Sequence, residues 1–315
     1  MNAPLLFLVF NRPAQTAKVF DEIRKAKPEK LFIAGDGPRP NHPGDMEKCK
    51  KVREIVSNID WPCQVKTLFQ DRNLGCKIGA TTGITWFFDN VEEGIVLEDD
   101  CLPDQSFFPF CTELLERFRN NENISMICGC NESQMTSSPY SYIYSKYGHL
   151  WGWASWRRVW KQYDVSMKVW ADPRNRQAIK RAMNDSEMWN SRAWSYIQTY
   201  KGIKDTWDFQ WEAYRLLKGQ YAVIPTVNMI ENLGFGKDAT HTTQTISHLI
   251  MPRQQMSFPL KHNPELKPND LYDHTLRPKQ KAIPLEIQIM KSYVKSILAS
   301  ILPKPVYNKI LSLKK

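Results

Sequence analysis

No apolar run in the sequence approaches the ~18 residues that a membrane-spanning helix needs; the longest near the start is Leu5 to Phe10. That run also lacks the parts of a secretory leader, since no basic segment precedes it and Asn11-Arg12-Pro13 cuts it short. It reads as a first β-strand. The cysteines, seven in number, contain no Cys-x-x-Cys pair, and the one close pair, Cys128-x-Cys130, falls on one side of a strand. Neither a disulfide framework nor a zinc site is indicated, and the expectation is a cytoplasmic protein with reduced thiols. The Asn-x-Ser sequons at Asn123, Asn131 and Asn184 are then chance matches. No internal repeat is present, and no glycine-rich phosphate loop follows the first strand.

What is present is the composition of a folded globular protein: 42% hydrophobic and 24% charged residues over a 315-residue chain, with 12% aromatics to fill an interior. The net charge of +10 is unevenly placed, because residues 251–315 hold 12 Lys and Arg against 4 Asp and Glu. The body is nearly neutral and the tail is basic. Without aromatic residues interleaved among its lysines as a stacking platform, that tail does not read as a nucleic-acid site.

Leu5–Phe10 and Lys30–Ala34 are short apolar runs separated by Ala14–Lys27, whose apolar residues fall at helical spacing. A basic helix over Glu47–Ser57, a strand at Val65–Phe69, a helix over Ile78–Phe88 and a strand at Gly94–Leu97 follow; then a helix over Phe107–Phe118 and a strand at Ser125–Cys130. Strands alternating with helices predict a mainly parallel sheet. Ligands of such sheets bind at the carboxyl ends of the strands, so Arg12, Asp36 and Glu98-Asp99-Asp100 are expected to converge on one crevice. The acidic triplet reads either as a solvated turn or as a site for a hard divalent cation that neutralises three mutually repelling carboxylates.

From Trp151 to Trp211 lie nine of the eleven tryptophans. Trp156, Trp160, Trp189 and Trp194 read as core; Trp151, Trp153 and Trp207, beside glycines and Asp208, read as candidates to pack against a sugar face. A helix over Trp207–Lys218 and a strand at Tyr221–Pro225 precede a Gly- and Thr-rich loop over Asn232–Thr243. Residues 251–284 are proline-rich, a linker or a wrapping arm, and 285–315 form a basic amphipathic tail.

Several motifs in order resemble a nucleotide-sugar glycosyltransferase of the GT-A fold, similar to the N-acetylglucosaminyltransferase I-like group. They are the strand before Asn11-Arg12, Gly35-Asp36, Asp71-Arg72-Asn73-Leu74-Gly75, and Val96-Leu97-Glu98-Asp99-Asp100 followed by Phe107-Phe108; further on come Gly152-Trp153, Trp207-Asp208 and Phe235-Gly236-Lys237. The resemblance implies one Rossmann-like domain over residues 1–250, with a donor half (1–130) and an acceptor half (131–250). It implies that Asp100 ligates Mn²⁺ or Mg²⁺ on the donor diphosphate, with Glu98 and Asp99 nearer the ribose and sugar. Arg12 and Asp36 would hold the base, Asp36 accepting from the imide N–H of uracil, and Asn73 and Lys77 would stand beside the donor. The helix after Lys77 looks shorter than the family's, a departure that touches donor contacts carried there. Lys237 and His241 would close over the diphosphate.

Asp208 resembles the family's base, which takes the acceptor hydroxyl proton during an inverting attack on the anomeric carbon. Glu212, one turn on, is the reserve and Asp205 a weaker one. The implied partners are a nucleotide-sugar, a glycan or lipid-linked acceptor such as lipopolysaccharide or capsule, and a membrane surface met by the tail. Two other readings stand beside this one: a sugar-1-phosphate nucleotidyltransferase, and a carbohydrate-binding protein without turnover.

Overall fold

A computed structural model of the chain describes residues 2–133, 138–234, 251–302 and 304. The opening run forms β1 (Leu5–Val9), every residue of it buried. Pro13 then starts α1 (Pro13–Ala26) at a position where its missing N–H costs nothing, and Lys27 ends the helix in the left-handed conformation. β2 (Lys30–Gly35), α2 (Asp45–Ser57), β3 (Gln64–Phe69), α3 (Gly75–Asn90) and β4 (Glu93–Glu98) continue the alternation. After them come β5 (Cys101–Pro103), α4 (Phe107–Phe118), β6 (Ile124–Cys128), β7 (Tyr142–Ser145), β8 (Trp153–Trp156) and the short α5 (Arg157–Trp160). The order ends with α6 (Pro173–Met183), α7 (Ser186–Tyr200), α8 (Asp208–Leu217), β9 (Tyr221–Pro225), β10 (Ile230–Asn232), α9 (Asp270–Thr275) and α10 (Leu285–Ile301).

Eight strands make one sheet in the order β3-β2-β1-β4-β8-β6-β9-β7. β1 pairs in parallel with β2 and β4, and β6 in parallel with β9, whereas β8 is antiparallel to both its neighbours and β7 to β9. Six strands therefore run one way and two the other. This is the mixed, mainly parallel α/β architecture expected from the alternation of elements. The strands from Lys30, Val65, Gly94 and Ser125 and the helices over Ala14–Lys27, Phe107–Phe118 and Trp207–Lys218 all lie within a few residues of their expected bounds.

Aromatic side chains fill the layers. Trp153, Trp160, Trp207 and Trp211 pack with ring centroids 5.2 to 6.2 Å apart, and Tyr163 stacks on Trp160 at 4.4 Å. Trp156 and Trp189 are buried as expected, but Trp194 is only half-buried on α7. A second cluster joins Trp170, Trp189 and Tyr196 with Phe209 and Leu216.

Residues 251–276 lie along the domain. Met251, Met256, Leu260 and Tyr272 are buried, and Asn269 N donates to Tyr144 O at 2.8 Å. α10 behaves differently. Its half-buried positions Leu285, Gln288 and Ser292 recur at helical spacing, and Gln288 Nε2 donates to Asn190 O of α7 at 2.9 Å. Ile287, Met290, Tyr293, Val294, Ile297 and Ile301 are exposed, with Leu298 half-buried. The helix thus rests on a mostly polar stripe and turns its apolar side outward.

Candidate active site

The site follows from strand direction. β1, β2, β4 and β6 all run the same way, so the residues just after them, Arg12, Asp36, Asp99-Asp100 and Glu132, stand along one edge of the sheet. β8 runs the opposite way, so the residues just before it, Gly148 to Trp151, reach the same edge. Two groups of polar side chains result.

The first surrounds the acidic triplet. Asp99 Oδ2 accepts from Phe10 N at 3.1 Å, and Arg12 Nη1 lies 3.3 Å from Asp99 Oδ1 and 2.5 Å from Asp100 Oδ2. Burial, and then the charge of Asp100, hold the Glu98 and Asp99 carboxyls well above the usual carboxylate range, with Asp99 adding to the shift at Glu98 and Arg12 opposing both. Asp208 adds to the field at Glu98, which places that carboxylate within electrostatic reach of the triplet. The crevice therefore gathers more carboxyl groups than Arg12 can pair with.

Among the described residues no group of three or more His, Cys, Asp or Glu is arranged to hold a metal ion by itself. The donors present are all carboxylate oxygens at a crowded anionic strand end, which suits a hard cation that draws its remaining ligands from water and phosphate. Asp100 fits that role through an oxygen that Arg12 now holds. The segment after β10 supports it from the other side: β10 pairs with β5, Leu233 N donates to Asp100 O at 2.7 Å, and Gly234 lies so close that a Cβ there would overlap Asp100 Oδ2.

Asp36 sits beyond β2 and is engaged internally. Its carboxylate accepts from Gly37 N at 2.8 Å, from Leu74 N at 2.9 Å and from Asn73 Nδ2 at 2.9 Å. Burial raises its pKa while the backbone N–H donors oppose the shift. The structure thus brings Asp36 and Asn73 together, as a brace between β2 and the turn before α3. Arg12 is bonded to Asp99 and Asp100, a placement the sequence motif did not reveal. Lys77 is half-buried in the first turn of α3.

The second group lines a cavity of about 240 Å³. Asp208, Trp151, Glu132, His149, Arg192 and Glu212 are among its walls. Asp208 opens α8 and accepts from Phe209 N at 2.9 Å and from Thr206 Oγ1. Its backbone is fixed by the aromatic cluster, because Tyr163 Oη donates to Trp207 O at 3.1 Å. Glu212 accepts from Tyr196 Oη at 2.5 Å and lies 3.5 Å from Arg192 Nε, so the reserve base is committed to other partners.

Of the three tryptophans expected to meet a sugar, Trp151 lines the cavity. Trp153 has no exposed surface and Trp207 retains 5%, both being packed in the indole cluster, which leaves neither a free face for a ligand. Lys237 and His241 lie outside the described residues. Glu132, His149, Arg192 and Arg215 are cavity residues that no sequence motif indicated. They come from a loop, a strand approach and two helices, and nothing local marks them as neighbours.

Comparisons with known proteins add a likeness of shape only. No family model and no curated protein matches the sequence. Among solved structures, an apo UDP-glucose pyrophosphorylase is similar at 9% identity, with 71% of this chain and 90% of that chain covered and a TM-score of 0.37. Mouse xyloside xylosyltransferase 1, apo form, gives 10% identity, 69% and 81% coverage and a TM-score of 0.34. The 4-diphosphocytidyl-2C-methyl-D-erythritol synthase of Anaerococcus prevotii gives 7% identity, 55% and 78% coverage and a TM-score of 0.34. No helix among the described residues is long and apolar enough to cross a membrane.

Proposed function

We propose that the chain is an inverting glycosyltransferase that moves a sugar from a nucleotide-sugar, with UDP-sugars favoured, to a glycan or a lipid-linked glycan. The observation that carries this reading is the position, along one sheet edge, of the carboxyl-rich end of β4 and a cavity holding the carboxylate of Asp208 beside Trp151. The similar structures include a UDP-glucose pyrophosphorylase and a xylosyltransferase, which accords with nucleotide-sugar use.

On this reading Asp100 would hold Mn²⁺ or Mg²⁺, which would supply Lewis-acid stabilisation of the departing diphosphate. Asp208 takes the proton of the acceptor hydroxyl as that oxygen attacks the anomeric carbon, a contribution of roughly 10²–10⁴-fold. Trp151 offers the acceptor ring an apolar face. Glu98 and Asp99 face the ribose and sugar, while Asp36 and Asn73 brace the base end. Lys237 and His241 remain proposed donor contacts. A nucleotidyltransferase is less well supported, because Phe10-Asn11-Arg12-Pro13 after β1 has no glycines to cradle a triphosphate and its arginine is held by the acidic triplet.

The outward apolar side of α10, bordered by Lys291 and Lys295, is proposed to rest on an anionic lipid surface. The decisive experiment is calorimetric titration of UDP, GDP and CDP with and without Mn²⁺, on wild type and on Asp100→Ala. Metal-dependent UDP binding that Asp100→Ala abolishes is expected, followed by loss of UDP-sugar turnover in Asp208→Asn with binding retained. Absence of binding by every nucleotide would overturn the transferase and leave a carbohydrate-binding protein.

A further inference from the structure

The cavity beside Asp208 holds more charge than a neutral sugar requires. Its carboxylates have partners: His149 Nδ1 lies 2.9 Å from Glu132 Oε1, and Arg192 Nε 3.5 Å from Glu212 Oε1. Asp208 accepts from Thr206 and Phe209. Arg215 differs. It is 1% exposed, belongs to no ion pair among the described residues, and uses Nε on the neutral Ser125 Oγ at 2.6 Å, while Nη2 has no hydrogen-bond partner. Its guanidinium lies against Gly148, another wall residue, where a Cβ would come within 2.9 Å of Nη1. The missing side chain at Gly148 is what leaves room for it.

Glu212 and Asp273 act on this guanidinium through space, but no carboxylate among the described residues is bonded to its fork, and a buried planar fork left unbonded is costly to keep and shaped for a carboxylate or phosphate. We propose that this cavity recognises an acidic acceptor, a sugar bearing a carboxylate or a phosphate ester, with Arg215 and Arg192 as the residues that select the anionic substituent. The inference rests on the transferase reading for the word acceptor, but the anion site itself does not. The volume, below the roughly 300–1,000 Å³ of drug-sized ligand pockets, suits one sugar residue rather than a length of glycan.

The test is a ligand-observed NMR titration of the full chain with methyl glucoside, methyl glucuronide and methyl glucoside 6-phosphate, run beside UDP binding on the same samples. The glucuronide or the phosphate is expected to bind about tenfold or more tightly than the neutral glucoside, and the tighter of the two identifies the source of the anion. Arg192→Met, at a half-exposed position, is expected to remove most of that preference with Tm kept. Arg215→Lys, which keeps the charge and loses the fork, should do the same where it folds. Equal binding of the three glycosides, absence of any binding, or an undiminished preference in Arg192→Met would overturn the proposal. UDP binding that fails while the anion preference stands would count against the transferase alone.

Discussion

Gly234 ties the acidic triplet to the strand that follows the cavity half of the chain. With Asp100 Oδ2 in the space that a methyl group would need and Asn232 Oδ1 at 2.9 Å from it, the residue has no room to grow. Gly234→Ala must push the Asp100 carboxylate aside, and a displacement near 1 Å at a reacting centre can cost on the order of 10²-fold. The variant is expected to lose at least about tenfold in metal-dependent nucleotide affinity by calorimetry with little change in Tm. Unaltered affinity would mean that Asp100 relaxes without consequence.

At the same scale, the carboxylates after β4 were readable because three acids following a buried apolar run have no structural purpose in the core. Arg215 was not readable. An arginine in the last turn of a helix ordinarily faces solvent and complements the dipole, whereas Arg215 is turned inward to the hydroxyl of Ser125 on β6.

Among the elements, α2 carries a pH-sensitive start. Asp45, its first residue, accepts from Arg39 Nε at 2.6 Å and from Asn11 Nδ2 at 2.8 Å, and the Arg39 side chain chiefly holds its pKa down to about 2 against the opposing effect of burial. A folded-state value below the unfolded one contributes stability that is complete above pH ~4 and is lost as pH falls through about 2. The shift from 3.8 corresponds to about 2 kcal/mol. Urea unfolding of Asp45→Asn is therefore expected to show a deficit of about that size at pH 7, shrinking as the pH is lowered from 4 toward 2. A deficit independent of pH would remove the ion pair as its cause.

The elements also differ in how far local sequence announces them. β1 and β4 are buried on both faces, so they appear as uninterrupted apolar runs. β8 is just as buried, yet Trp153–Trp156 carries Ser155 inside it, whose hydroxyl is satisfied by Ser125 O at 2.7 Å. Four residues with no alternation and one polar member give no period to detect. β5 and β10, three residues each, exist only as partners of one another.

On the scale of the whole molecule, the outward side of α10 is a departure from ordinary burial among the described residues. A helix that docks by its apolar side would bury Met290, Val294 and Ile297, and here they remain exposed while Gln288 makes the contact with α7. Co-sedimentation is expected to show binding to vesicles containing phosphatidylserine and not to phosphatidylcholine alone, weakening with salt. Loss of Lys291 or Lys295 should each cost about fivefold, and Met290→Glu with Val294→Glu should abolish binding. Equal binding to neutral vesicles would point instead to a protein partner for this face.

The indoles at 5 to 6 Å from one another around Trp153, Trp160, Trp207 and Trp211 have an optical consequence. Chromophores packed this closely share their excited states, so their circular dichroism reports relative ring orientation rather than single environments. Trp207 is bonded to Asp208, and Trp151 stands in the cavity wall. The protein therefore carries its own reporter, and a ligand entering beside Asp208 would announce itself in the near-ultraviolet spectrum without a label.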